Sequence, residues 1–139
     1  MKILIMGLPG SGKTTLAGAL SKELTRRKKS SCRLNADSIR QIHQDWDFSV
    51  EGRIRQSKRM ARLANTCTTD FVIVDFIAPL PEMRDNFAAH YMIWMDTVRE
   101  SVYKDTNQMF VPPDNFSLVI RWKDEGYWSE FIADILCDK

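Results

Sequence analysis

The sequence predicts an α/β protein of three layers, in which a parallel sheet of about five strands is covered by helices on both faces. Short apolar runs, typical of buried parallel strands, alternate along the chain with amphipathic segments. A glycine-rich turn follows the first of these runs, and in open parallel sheets ligands bind at such strand ends. The length of 139 residues suits one core, so we expect a single domain over 1–139.

Five short apolar runs are predicted as the strands of this sheet. The run that opens the chain and the run beginning at Phe71 are the clearest of them. Each run is only a few residues long, as expected for strands buried between two helical layers. The predicted strands are 2–6, 32–34, 71–74, 91–95 and 117–120.

Apolar residues at helical spacing predict four helices between and after these strands. In the first helix, Leu16, Leu20 and Leu24 recur four residues apart and form one face. The predicted helices are 14–28, 37–44, 51–66 and 126–137. The residues predicted to face the core are Ile54, Ala61 and Ala64 in the third helix and Trp128, Phe131, Ile132 and Ile135 in the last.

The turn between the first strand and the first helix matches G-x-x-x-x-G-K-[ST], the pattern of a phosphate-binding loop. Its glycines permit positive φ angles, and the helix N-terminus favours an anion. Lys13 reaches the β- and γ-phosphates in such loops, and the Thr14 hydroxyl ligates Mg²⁺. The alternative is a glycine-rich turn that fits by chance. We therefore predict that a nucleoside triphosphate binds to Gly7, Leu8, Pro9, Gly10, Ser11, Gly12, Lys13, Thr14 and Thr15.

Polar and turn-forming residues follow the other predicted strands. Because the carboxyl ends of parallel strands meet at one edge of a sheet, we expect these residues to share a site with the glycine-rich loop. They lie at 35–37, at 75–79 and after Met95. Asp75 ends a strand there, either as a second metal-site carboxylate or as the anchor of a turn.

Composition narrows the classes of partner and location. A net charge of +2 indicates no strong preference for nucleic acid or membranes, and no apolar run is long enough to span a bilayer. The opening apolar run is too soon interrupted for a signal peptide. Cys32, Cys67 and Cys137 are widely separated, which predicts neither a zinc site nor a redox pair but reduced, mostly buried thiols. We expect a cytoplasmic protein that binds small-molecule substrates.

Four further segments resemble, in the same order, segments of the adenylylsulfate (APS) kinase family. Residues 34–40 resemble L-D-G-D-N-x-R, and residues 45–53 resemble D-L-G-F-S-x-x-D-R. Residues 76–79 resemble F-I-S-P, and residues 110–113 resemble Y-E-x-P. The resemblance implies a P-loop NTPase or nucleoside-kinase-like fold that uses ATP and Mg²⁺. The implied reaction moves the γ-phosphoryl group to the 3′-hydroxyl of adenosine 5′-phosphosulfate, and a homodimer is an open possibility.

The same resemblance implies roles for individual residues. Lys13 and Asp37 would be catalytic, with Thr14 and Asp37 at the metal and Lys104 near the donor adenine. Arg40 and Arg53 would bind the phosphosulfate, and Phe48 would stack on the acceptor's adenine. The acceptor-binding residues implied are Asp37, Arg40, Phe48, Arg53, Gln56, Phe76, Ile77 and Ala78.

Several readings stay open at the level of the sequence. Asp37 could be a helix cap, and Phe48 could be a core residue. The family's K-G-L-Y lid segment is missing, and only the short segment 103–109 remains in its place before Phe110. Three alternatives for the function stay open: a kinase of another small phosphorylated metabolite or nucleotide, a polynucleotide 5′-kinase, and a non-catalytic nucleotide-binding module, which a short lid that never closes would favour.

Overall fold

Five parallel strands form the central sheet of the computed structural model, which describes residues 1–137. The sheet has the order β2-β3-β1-β4-β5, and every neighbouring pair is parallel. The predicted α/β class with about five parallel strands is confirmed. The strands are β1 (Lys2–Met6), β2 (Ser31–Asn35), β3 (Phe71–Asp75), β4 (Tyr91–Met95) and β5 (Leu118–Ile120).

Helices cover both faces of this sheet. The four predicted helices are present with bounds within two residues of those expected. Two short helices were missed, because seven and six residues are too few to show an apolar period. The helices are α1 (Lys13–Arg26), α2 (Ala36–His43), α3 (Val50–Thr66), α4 (Pro81–Phe87), α5 (Lys104–Met109) and α6 (Glu125–Cys137). Within residues 1–137, none is long and apolar enough to cross a bilayer.

Strand β1 divides the core into two layers. Its odd-numbered residues, Ile3 and Ile5, pack with α1 and α6, whereas Leu4 and Met6 pack with α3 and α4. All four side chains are fully buried. Because β1 is the central strand and is covered on both faces, the loop that follows it is held between two rigid layers.

The predicted core face of α3 is confirmed, whereas that of α6 needs correction. On α6, Trp128 and Ile132 are buried, but Phe131 is exposed and Ile135 is half-buried. The reason is that the buried face of α6 consists of Trp128, Ser129, Ile132, Ala133 and Leu136, so that Phe131 and Ile135 lie at its edge. Phe131 packs there on the rings of Tyr127 and Trp128, with ring centroids 6.2 and 5.4 Å away. On α3, Ala64 is buried, Ile54 and Ala61 are half-buried, and the other buried residues are Gly52, Arg53, Gln56, Ser57 and Met60.

The structure agrees with the predicted free thiols but not with their predicted burial. Cys32, Cys67 and Cys137 are all free and half-buried rather than buried. Cys32 on β2 and Cys67 after α3 place their Sγ atoms 2.6 Å apart. Residues far apart in sequence meet here because the C-terminal end of α3 packs beside the edge strand β2.

Candidate active site

The glycine-rich loop joins β1 to α1 and has the conformation that its glycines permit. Gly7, Gly10 and Gly12 have φ angles of 151°, 81° and 98°. A Cβ atom at Gly7 would lie 2.6 Å from the Met95 carbonyl oxygen on β4. The loop therefore packs against the neighbouring strand at a distance that only glycine allows.

Two lysines donate to carbonyl groups of this loop. Lys13 Nζ donates to the Leu8 carbonyl at 2.9 Å, and Lys123 Nζ donates to the Gly10 carbonyl at 2.8 Å. Burial lowers the pKa of Lys13 to about 8, although the charges of Asp75 and Asp37 act to raise it. The loop thus carries two cations where the motif predicts phosphate groups.

Asp75 ends β3 beside the first turn of α1. Its Oδ2 accepts hydrogen bonds from Thr14 Oγ1 and Asn35 Nδ2, each at 2.8 Å. Its Oδ1 is buried and has no hydrogen-bond partner within residues 1–137. Since the hydrogen bonds it accepts in this range come from side chains, Asp75 does not anchor a turn. A buried carboxylate oxygen next to a threonine hydroxyl suits a hard cation such as Mg²⁺.

Asp37 lies in the first turn of α2 and is exposed. Asn35 is the residue that caps this helix, because its side chain accepts a hydrogen bond from the Ser38 N–H at 3.1 Å. The alternative that Asp37 is the cap is therefore wrong. The Asp37 carboxylate lines the same cavity as Lys13 and Thr14, where its charge raises the pKa of Lys13. The structure brings Asp75 rather than Asp37 into hydrogen-bond contact with Thr14.

One cavity of about 930 Å³ joins the phosphate loop to the residues implied for acceptor binding. It extends from the loop over α2 to α3, to the segment after β3 and to α5. Among its lining residues are all eight implied acceptor-binding residues, namely Asp37, Arg40, Phe48, Arg53, Gln56, Phe76, Ile77 and Ala78.

Two arginines flank Phe48 in this cavity. The guanidinium carbons of Arg40 and Arg53 lie 4.4 and 5.4 Å from the centroid of the Phe48 ring. Both arginines are buried, and burial lowers the pKa of each. Arg40 donates to the carbonyls of Asp45 and Asp47, and Arg53 donates to the Phe48 carbonyl. Phe48 is 46% exposed, so the alternative that it belongs to the core is wrong.

Neither of these arginines forms a salt bridge with a carboxylate in the described part of the chain. Arg53 completes its hydrogen bonds with Thr106 of α5, whose Oγ1 lies 2.9 Å from its Nη2. Buried cations without an anionic partner are costly, so the cavity has two positive groups available to a bound anion.

A family model described as "Adenylylsulphate kinase" matches residues 1–109. The chain belongs to the adenylylsulfate kinase family. An adenylyl-sulfate kinase of Arabidopsis thaliana is 36% identical over 86 residues, which cover 60% of this chain and 41% of that protein. One of Shewanella amazonensis is 38% identical over 82 residues, which cover 57% of this chain and 41% of that protein. The matched segment thus spans less than half of the length of these relatives.

Solved structures with the same fold include adenylylsulfate kinases. The Mycobacterium tuberculosis APS kinase CysC, in complex with AMPPNP and APS, superposes with a TM-score of 0.81 at 19% identity and covers 99% and 97% of the two chains. A shikimate kinase of Acinetobacter baumannii superposes with a TM-score of 0.65 at 16% identity and covers 99% and 93%. These likenesses confirm the P-loop kinase fold.

Gly52 stands where the adenylylsulfate kinase pattern D-R has its aspartate, and the structure supplies a reason. A Cβ atom at Gly52 would lie 2.2 Å from the Asp47 carbonyl oxygen, so the loop before α3 rests on this glycine. Asp45 holds that loop to the helix by accepting from Arg55 at 2.8 Å and from Arg59 at 2.9 Å. These hydrogen bonds hold the pKa of Asp45 well below its usual range.

Three implied acceptor residues are held by hydrogen bonds or packing that keep them in place. Gln56 Nε2 donates to the Ala36 carbonyl at 3.0 Å, next to Asp37. Phe76 packs edge-on against Phe87, with ring centroids 5.9 Å apart. Ala78 has a φ of 48°, and the buried Arg84 donates to its carbonyl at 2.9 Å. Arg84 was missed by the sequence, in which nothing distinguishes it from a surface arginine.

The segment that the sequence predicts as a shortened lid forms α5, which borders the larger cavity. Lys104 lines that cavity, whereas a second cavity of about 290 Å³ adjoins the phosphate loop beyond Gly12. Lys104 does not line the second cavity. The sequence did not indicate this cavity, because the segment between β5 and α6 carries no motif. Its lining residues are Gly10, Gly12, Thr15, Leu16, Met95, Lys123, Asp124, Glu125 and Trp128.

Proposed function

We propose that the chain is an ATP-dependent kinase that phosphorylates the 3′-hydroxyl of adenosine 5′-phosphosulfate to give 3′-phosphoadenosine 5′-phosphosulfate. The observation that carries this proposal is the single cavity in which the phosphate loop faces Asp37 and the Arg40–Phe48–Arg53 group. Family membership supports the same reaction, and so does the M. tuberculosis structure with AMPPNP and APS.

On the donor side, the loop and the N-terminus of α1 would hold the phosphates of ATP. Lys13 would leave the Leu8 carbonyl and meet the β- and γ-phosphates, where its charge stabilises the transferred group. The smaller cavity, beyond Gly12 and Thr15, is the space into which the nucleoside of ATP would extend. Trp128 supplies an apolar wall for it, and Lys123 stands over the loop.

The residues present also fit Mg²⁺. Thr14 Oγ1 and Asp75 Oδ1, which has no hydrogen-bond partner within residues 1–137, would supply hard oxygen ligands beside the loop, and Asn35 would orient the carboxylate. The ion, when bound with ATP, would offset the negative charge of the phosphates. Asp37, which the resemblance also implies at the metal, lies on the acceptor side of the cavity and would orient the attacking hydroxyl.

On the acceptor side, the phosphosulfate would supply the missing anion for Arg40 and Arg53. Guanidinium groups suit phosphate and sulfate oxygens, and both groups are already fixed by backbone carbonyls. The half-exposed Phe48 ring offers an apolar face to the adenine, and the backbone at Ile77 borders the same space. The acceptor's 3′-hydroxyl would then point toward Asp37 and the loop.

The direct test is turnover of the purified protein with ATP, Mg²⁺ and adenosine 5′-phosphosulfate, with both nucleotide products separated by chromatography. Equal amounts of ADP and 3′-phosphoadenosine 5′-phosphosulfate are expected. Parallel reactions with AMP, shikimate, gluconate and a 5′-hydroxyl oligonucleotide test the other kinase functions. Phosphorylation of one of these acceptors instead would overturn the proposed acceptor. ATP binding without turnover of any acceptor would indicate a non-catalytic module.

Replacing Phe48 by alanine is expected to weaken adenosine 5′-phosphosulfate binding about tenfold or more, because stacking on a base contributes roughly 1–3 kcal/mol. ATP affinity should stay within about twofold, since Phe48 lies away from the smaller cavity. Calorimetric titration with each nucleotide measures both effects. Phe116→Ala, which also removes a half-exposed ring but lies outside both cavities, is the matched control. Unchanged acceptor binding in Phe48→Ala would contradict the stacking role.

The affinity for ATP is expected to fall as the pH rises above about 8. Burial lowers the pKa of Lys13 to about 8 in the free protein, and phosphate contact requires the charged form. ATP binding at pH 8.5, roughly half a unit above that pKa, should therefore take up a proton, and titrations in two buffers of different ionisation enthalpy measure it. Because the pKa of Lys13 is about 8 in the folded protein and 10.5 when the side chain is not buried, the free energy of unfolding should increase as the pH rises from about 8 to 10.5. Lys13→Met should show no uptake; equal uptake would assign the proton to another group.

A further inference from the structure

The thiols of Cys32 and Cys67 lie closer than two separate sulfur atoms normally do. Their Sγ atoms are 2.6 Å apart, although the two residues are 35 positions apart in the chain. A disulfide bond is ~2.05 Å long, and ordinary contacts between the smaller carbon atoms are ~3.5–4.0 Å. The two side chains therefore already point at each other at nearly bonding distance.

Both thiols are accessible to small reagents, and the pKa of one of them is raised. Cys32 and Cys67 are half-buried, so a small oxidant reaches them without unfolding of the protein. Burial, together with the hydrogen bond to Cys32, raises the pKa of Cys67 to about 11. Cys67 is thus a poor first nucleophile, and the exchange begins at Cys32.

We propose that Cys32 and Cys67 are an oxidation site that closes to an intramolecular disulfide on reaction with a low-molecular-weight disulfide such as oxidised glutathione. The Cys32 thiolate attacks one sulfur of oxidised glutathione and releases one glutathione thiolate. Cys67 then loses its proton and attacks the Cys32 sulfur, which releases the second glutathione. The protein loses two hydrogen atoms, and one glutathione disulfide becomes two glutathione thiols.

The bond would enclose the acceptor side of the cavity in one covalent loop. Residues 33–66 contain α2, the loop before α3 and α3 itself. Neither cysteine lines the cavity, so the bond forms outside it. Its expected effect is on stability: closing a loop of 35 residues restricts the unfolded chain and should raise the melting temperature by roughly 5 °C or more.

The test counts free thiols. The reduced protein is incubated with oxidised glutathione, denatured, alkylated with N-ethylmaleimide and weighed by mass spectrometry. Reduced protein should carry three N-ethylmaleimide groups, one for each cysteine, whereas oxidised protein should carry one, on Cys137. Tryptic digestion should yield the peptides of Cys32 and Cys67 joined to each other, and dithiothreitol should restore three groups. A melting curve before and after oxidation measures the stabilisation.

Variants in which one cysteine at a time is replaced by serine are the controls. Cys137→Ser should still lose two thiols, whereas Cys32→Ser and Cys67→Ser should form no internal crosslink and gain no melting temperature on oxidation. Melting curves under reducing conditions show whether each variant is folded. If only one of Cys32→Ser and Cys67→Ser folds, that variant alone is sufficient as the control without a crosslink. Retention of three free thiols, a stable glutathione adduct, or a crosslink between two chains would overturn the proposal.

Discussion

Lys13→Ala is expected to reduce phosphoryl transfer by about a hundredfold or more while the protein remains folded. Removing one preorganised group that stabilises transition-state charge costs about 10²–10³ in turnover, and Lys13 is the loop residue implied at the transferred phosphate. The melting temperature should stay unchanged or rise slightly. The reason is that burial disfavours the Lys13 ammonium, as its lowered pKa shows, and its hydrogen bond is to one loop carbonyl.

Steady-state turnover and a melting curve measure these two effects on the same preparation. Lys22→Ala, which removes an exposed lysine of the same helix, is the control and should behave as the unaltered protein. Turnover of Lys13→Ala within tenfold of the unaltered protein would contradict the assignment of the loop.

Asp37→Asn is expected to reduce kcat by roughly a hundredfold, which corresponds to a barrier about 3 kcal/mol higher. Asp37 is exposed on the cavity, so its amide variant should fold normally. Asp75→Asn should reduce kcat less at saturating Mg²⁺ but should raise the Mg²⁺ concentration needed for half-maximal turnover. It should also lower the melting temperature, because the buried carboxylate accepts hydrogen bonds from Thr14 and Asn35.

The two variants are compared by titrating turnover with Mg²⁺ at saturating ATP and acceptor. Asp114→Asn, an exposed carboxylate outside both cavities, is the control. If Asp75→Asn lowers kcat more than Asp37→Asn at saturating Mg²⁺, the role of Asp37 as the carboxylate near the acceptor hydroxyl is contradicted.

Local patterns in the sequence determined the class of the fold and the loop of the site. The apolar runs and the leucine spacing of α1 depend on which face of a strand or helix is buried, and that preference repeats over a few residues. The glycine-rich motif can also be recognised from the sequence alone. Its positive φ angles and the start of the following helix depend only on residues that are adjacent in the chain. Such features can be read without knowledge of what packs against them.

Tertiary structure decided which distant residues share the site. Asp75 could have been a turn anchor until β3 placed it 2.8 Å from the Thr14 hydroxyl, and Asn35 rather than Asp37 proved to cap α2. Lys123 follows β5 and contacts the phosphate loop only because a single strand, β4, separates β5 from β1.

The same holds for the thiols of Cys32 and Cys67. In each of these cases the partners are brought together by the order of the strands and the packing of helices on the sheet. Contacts between residues that are distant in the chain cannot be predicted from the local spacing of residues, so only the folded structure reveals them.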